Sequence, residues 1–133
     1  MSCFFGTAAG LTIVPRAITV SDIGLRYSMK AANREILLAF WKVHILHHAR
    51  RVPVHGQWML LELRRHGYEL SPGTLYPLLH RMERMGWLRG QADPNGGRRA
   101  RRDYRLTRTG EKVLALVREQ ILELHREVVR ELK

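Results

Sequence analysis

The stretch Gly73-Thr74-Leu75-Tyr76-Pro77-Leu78-Leu79-His80-Arg81-Met82-Glu83 constrains this chain more than any other. Leu75, Leu78, Leu79 and Met82 recur at helical spacing, which predicts a short helix with one inward seam. Ser71 is a suitable N-cap, Pro72 fits the first helical position, and Gly86 can close the far end. Pro77 lies past the first turn and removes a helix hydrogen bond, so it costs stability. A bent helix shaped for a groove gives that cost a reason. Trp87-Leu88-Arg89 and Tyr104-Arg105-Leu106-Thr107 then read as two strands, with the turn residues Asp93-Pro94-Asn95-Gly96-Gly97 between them. Such a hairpin is marginal alone, so Trp87, Leu88 and Leu106 are expected to anchor it to the helices.

That layout, a short helix followed by an arginine-rich hairpin, is the layout of a winged helix that binds DNA. The charge agrees. The 133 residues carry a formal net charge of +11, and residues 98–108 hold six arginines against one acid, Asp103. A field of that sign favours polyanions, nucleic acid first and an acidic membrane surface second. Of the basic residues 19 are Arg and 4 are Lys; guanidinium forks suit phosphates and guanine edges, although codon bias accounts for the excess itself. One domain with one core is expected from this length. Cys3 is the only cysteine, so one chain can form no disulfide, which fits a cytoplasmic protein. No apolar run approaches a membrane span, and residues 1–10 lack the basic opening of a secretory signal.

Gly, Pro, Ser and Thr punctuate the first 30 residues without a steady period, and residues 1–30 are read as a weakly structured arm. An alternative start at Met29 stays open. Residues 31–49 form the first convincing helix, and its apolar residues cover more than half its circumference, enough for two neighbours. Pro53 ends it. A second helix is expected over residues 55–66, closed by Gly67. Residues 31–108 thus make up the winged helix-turn-helix unit. Residues 109–133 form a last helix, roughly 35 Å long. Its Leu114, Val117, Ile121, Leu124 and Val128 alternate spacings of three and four, a heptad seam suited to a second subunit. Leu37, Trp41 and Ile45 of the first helix are expected to join it in a homodimer. A helix folded back on its own domain is the alternative.

Leu70-Ser71-Pro72-Gly73-Thr74-Leu75-Tyr76-Pro77-Leu78-Leu79-His80-Arg81-Met82-Glu83, followed by Gly86-Trp87-Leu88, resembles the hallmark of the PadR family of bacterial transcriptional regulators. His55-Gly56 upstream resembles the family's usual opening of the second helix. Arg101-Arg102-Asp103-Tyr104-Arg105-Leu106-Thr107-Arg108-Thr109-Gly110 is similar to its wing strand and the entry to the last helix. The resemblance extends over residues 36–133. It implies a dimeric winged helix-turn-helix repressor of the short subfamily, paired through its first and last helices. Three departures stand out. Gln57 replaces the usual aromatic residue, the arm lies outside the pattern, and no Trp follows Trp87. The aromatic-drug pocket of some relatives is therefore not carried over.

The expected DNA contacts follow. Ser71 and the free N–H groups of the first helical turn can hold a phosphate. Thr74 and Tyr76 can read base edges or thymine methyls, with a Tyr76 ring packed on its own domain as the alternative. His80, Arg81 and Arg84 point outward, and both arginines suit phosphates. Arg98, Arg99, Arg101 and Arg102 are placed at the wing tip, against the backbone or adjacent minor groove. Trp41, if it faced a dimer interface, would be the wall for a small aromatic effector. His44 and His48 stand four residues apart on one helix face, a spacing that can chelate zinc. No carboxylate or cysteine nearby in sequence completes such a site, so no metal or cofactor is expected. No phosphate-binding Gly-rich loop or paired-carboxylate spacing supports an enzyme. Two competing readings remain: a winged helix binding nucleic acid without sequence preference, and an adaptor whose wing binds an acidic protein.

Overall fold

The computed structural model describes the backbone of residues 20–130 and the side chains of residues 31–130. The chain forms two compact units, Met1–Arg34 and Glu35–Lys133. In the first, the described part is the opening of helix α1 (Val20–Arg51). Residues 20–30, read from the sequence as part of an arm, are therefore helical, while residues 1–19 lie outside the described residues. Apart from Gly24 these residues have no strong helix breaker.

In the second unit α1 continues to Arg51 and is followed by strand β1 (Val54–His55), helix α2 (Gly56–Arg65), helix α3 (Pro72–Arg84), strand β2 (Leu88–Ala92), strand β3 (Arg102–Leu106) and helix α4 (Arg108–Leu124). Beyond α4 the chain stays helical, with the wider π spacing over His125–Arg130. The fold is mainly helical with a small antiparallel sheet in the order β1-β3-β2. The hairpin expected as two strands has a third. Val54 pairs with Tyr104 and His55 with Asp103. Two residues behind a proline are too short for a period to be legible, but Val54 is buried and brings the sheet into the core.

Two helix ends use the same device. After α2, Gly67 at φ 90° lets its N–H reach the Arg64 carbonyl, and the Tyr68 N–H reaches Leu63. After α3, Gly86 at φ 76° bonds Glu83 and Trp87 bonds Met82. Both are Schellman closures, which need a left-handed residue and so favour glycine. The start of α4 is held differently. Thr107 Oγ1 accepts the Gly110 N–H at 3.0 Å, and the Thr107 N–H donates to the Trp87 carbonyl at 3.1 Å. A Cβ on Gly110 would collide with that same carbonyl. The last helix is thereby fastened to the root of the wing. It belongs to the same compact unit as the rest of residues 35–133.

The core joins Trp41, Ile45 and Leu46 of α1, Met59 and Leu63 of α2, Leu75, Leu79 and Met82 of α3, Leu88 and Tyr104 of the sheet, and Leu114 of α4. The seam expected on α3 is buried, and the opposite face of α3 is left outward.

Candidate nucleic-acid interface

Helix α3 runs unbroken through Pro77. Ser71 is its N-cap by position, and the Ser71 carbonyl accepts the Thr74 and Leu75 N–H groups. The Ser71 hydroxyl makes no cap bond; it lies 3.4 Å from the Thr74 hydroxyl. Both polar side chains therefore sit at the helix N-terminus, where the backbone carries partial positive charge. Tyr76, His80 and Arg84, at i, i+4 and i+8, line one outward face. Arg81 is exposed on the flank.

The Tyr76 ring rests on the first residue of α2. A Cβ at Gly56 would overlap the ring carbons. Gly56 thus lets α2 and α3 approach at this point, while Tyr76 keeps 39% of its surface open. His55 precedes it and caps α2, its Nδ1 accepting the Trp58 N–H at 3.2 Å. The His-Gly pair has two structural duties at once: it starts α2 and seats Tyr76.

The wing closes the other side. Its loop is built by an Asx turn, with the Asn95 N–H on Asp93 Oδ1 at 3.0 Å, and by a bond from the Asp93 N–H to the Arg101 carbonyl at 3.0 Å. A single tight helical turn, Gly97–Arg99, forms the tip. Tyr76 and His80 of α3, Gln57 of α2 and Arg98, Arg99 and Arg101 of the wing face a groove of about 530 Å³. It is cationic on one wall and polar and aromatic on the other.

The four wing arginines are not equivalent, which corrects their common placement at the tip. Arg98 and Arg99 are exposed and occupy the tip. Arg101 pairs with Asp103 at 3.2 Å. Arg102 lies in β3, and its Nη2 meets Glu83 Oε1 at 2.6 Å. The Glu83 carboxylate raises the Arg102 pKa, chiefly through that hydrogen bond. This pair ties β3 to the end of α3 and fixes the angle of the wing. A Cβ on Gly90 would stand 2.5 Å from Arg102 Nε and 2.7 Å from Glu83 Oε2, so the glycine makes the space for the pair. Sequence reasoning found neither Glu83 nor Gly90 as functional. It also passed over Arg89 and Arg105, which are exposed and directly opposite each other in the β2–β3 register. Like charges so placed repel, and a polyanion would relieve them.

Comparison with known proteins agrees with this geometry. The profile of the Transcriptional regulator PadR-like family matches residues 45–116, from α1 through the wing into α4. The chain belongs to the PadR-like family of transcriptional regulators. It is 50% identical over 96 residues to the transcriptional regulator Rv3488 of Mycobacterium tuberculosis, covering 72% of this chain and 89% of that one. A PadR family transcriptional regulator from Eggerthella lenta has a similar structure, with a TM-score of 0.68 and 31% identity, over 86% of this chain and 98% of that one. A PadR-like regulator from Bacillus cereus shares the fold at a TM-score of 0.66 and 24% identity, over 74% and 97% of the two chains.

In this PadR-like chain the apolar surfaces divide in a way the sequence did not resolve. Trp41, Ile45 and Leu114 are 3%, 0% and 3% exposed, spent on the chain's own core. They offer nothing to a second subunit, which corrects their assignment to a dimer interface. Leu37 and Val117 are half-buried. Ile121, Leu124 and Val128 are open at 40%, 52% and 51%, and on α1 so are Ile36 and Phe40. A helix apolar most of the way round does not declare which stripe its own domain takes. Burial of Trp41, whose ring meets Tyr68 edge-on at 6.4 Å, also removes it as the wall of an effector pocket. Among the described residues no helix is long and apolar enough to cross a membrane.

Proposed function

We propose that the chain is a sequence-specific DNA-binding repressor that acts as a homodimer on a near-palindromic operator. The observation that carries this reading is the groove between α3 and the wing, where Tyr76 and His80 face Arg98 and Arg99. A helix that presents short polar and aromatic groups suits the major groove, and an arginine tip suits the flanking backbone or minor groove. Ser71, Thr74 and Arg84 extend the helix contact, and Arg81, Arg89 and Arg105 are additional phosphate contacts. The exposed residues Ile36 and Phe40 on α1 and Ile121, Leu124 and Val128 on α4 supply the dimer contacts. Two-fold symmetry then sets the half-sites about one helical turn apart.

The test is salt-titrated binding of the purified chain to its own upstream intergenic DNA and to a scrambled duplex of equal length. A preference of about 1,000-fold or more at physiological salt supports the reading. Equal binding to both duplexes would replace it with a non-specific nucleic-acid binder. No binding even at low salt would leave the wing as a surface for an acidic protein.

A further inference from the structure

Away from the groove, α1 and α2 bring together a cluster that no DNA contact uses. His44 and His48 lie one turn apart on α1 with rings 15° from parallel and centroids 6.3 Å apart. His66, the C-cap of α2, tilts over His44 at a centroid distance of 4.8 Å. One nitrogen from each ring lies within 4.8 Å of the others. The carboxylate that the local sequence lacked comes from α2: Glu62 Oε1 is 3.3 Å from His66 Nε2 and 3.7 Å from His48 Nε2. His48 Nε2 is buried and has no hydrogen-bond partner. A buried polar atom left in that state calls for a ligand.

We propose that His44, His48, His66 and Glu62 form a binding site for a borderline divalent transition-metal ion, with zinc as the reference. The donor set is three imidazoles and one carboxylate, which suits zinc, cobalt, nickel or copper and disfavours magnesium or calcium. Arg65 holds the Glu62 carboxylate at 2.6 Å from an exposed position and orients it. Tetrahedral coordination needs nitrogens closer than they now lie, roughly 3.4 Å apart at ordinary zinc bond lengths. His66, exposed at a helix end, is the group able to close that gap. The bound ion would staple α1 to α2, whose opposite end seats Tyr76. The site is independent of the DNA-binding reading, since no residue of the groove contributes to it.

The test uses the tag-free full chain, stripped with chelator, without DNA. Zinc is titrated against a chromophoric chelator, and cobalt is added to read tetrahedral d–d bands. The expected result is one zinc per chain, cobalt bands, and a Tm increase of about 5 °C or more at saturation. His66→Ala and Glu62→Gln should each weaken zinc binding at least about 10-fold. His47→Ala, exposed on the same helix, should not. Both ligand variants alter positions at the edge of α2, so they test the site even where His44→Ala or His48→Ala fails to fold. Absence of stoichiometric uptake, native affinity in both His66→Ala and Glu62→Gln, or an equal response to magnesium would overturn the proposal.

Discussion

Replacing wing arginines in pairs separates charge from architecture, because Arg98 and Arg99 are free while Arg102 is tied to Glu83. Each phosphate neutralised by a cation contributes about −0.9 to the slope of log K against log salt. If both tip arginines contact phosphates, Arg98→Ala/Arg99→Ala flattens the slope by about 1.8 per chain and about 3.6 per dimer. Between 50 and 200 mM salt the proposed dimer then loses about 150-fold more affinity than the variant does. Arg102→Ala acts otherwise. It leaves a half-buried Glu83 carboxylate unpaired beneath the wing and costs about 1 kcal/mol of stability, discounted for the partial exposure of both groups. It lets the wing swing, which lowers affinity at every salt concentration and leaves the slope nearly native. Gly90→Ala should behave like Arg102→Ala, since its methyl group enters the same pair. The assay is fluorescence anisotropy on a labelled operator duplex at five salt concentrations, with Tm measured in parallel. If Arg102→Ala flattens the slope as much as the tip pair does, the division of the wing into phosphate clamp and hinge is wrong. If the tip pair leaves the slope unchanged, the wing is not the clamp at all.

Three further outcomes follow from the same structure. Gly56→Val drives a branched side chain into the Tyr76 ring; overpacking of this kind costs about 2 kcal/mol, read by urea denaturation, and should weaken operator binding beyond the loss of folded protein. Phe40→Glu/Leu124→Glu places charges on two exposed apolar faces; with each contact worth about 2 kcal/mol and counted twice by symmetry, light scattering should show a monomer with native helicity, and a persistent dimer would move the interface elsewhere. In metal-free buffer stability should fall with acid in two stages. His44 and His48 have folded pKa values below the ordinary 6.5, so the unfolded chain takes up more protons and stability is lost as pH drops below that value. Glu62, held near 2 by Arg65, adds a loss of the same sign as pH falls below its ordinary 4.5. Denaturation midpoints that do not change between pH 7.5 and 2.5 would contradict both shifts, and Glu62→Gln should abolish the lower stage.

Local chemistry made most of the fold legible. The period of Leu75, Leu78, Leu79 and Met82 fixed the buried side of α3, and Gly67 and Gly86 fixed two helix ends, because each signal acts within a few residues. Strand β1 escaped because two residues carry no period. The helical residues 20–30 escaped because their sequence carries no steady apolar period, the signal by which a helix is read. The division of α1 into core and surface stripes could not be read either. Ile36, Leu37, Phe40, Trp41 and Ile45 are equally apolar, and only the position of α2 and α3 decides that Trp41 and Ile45 are inside while Ile36 and Phe40 are not.

Charged partners are the deeper gap, and they matter most for function. A sequence displays every arginine of residues 98–108 alike, since a guanidinium has no period and no preferred neighbour. What separates Arg102 from Arg99 is strand register. Gly90 pairs with Tyr104 and Ala92 with Arg102, which turns Arg102 toward α3 and the free space that Gly90 leaves. Glu83 waits there because it lies on the last turn of a helix whose start is set by Ser71-Pro72 and whose end is set by Gly86. The same logic gathers His44, His48, Glu62 and His66: two are fixed by one helix face, and two arrive from a helix that its own caps set in register. In both places the local rules are what position the long-range pair. The capping residues, more than the charges themselves, therefore determine which arginines remain free for DNA. Inserting one residue between Met82 and Glu83 would rotate Glu83 away from Arg102 by about 100°. It should free Arg102 while leaving the number of wing charges unchanged. The resulting protein would lose its operator preference, which a scrambled duplex run beside the operator would reveal, and the freed Arg102 would steepen the salt slope by about 0.9 per chain as it meets a phosphate.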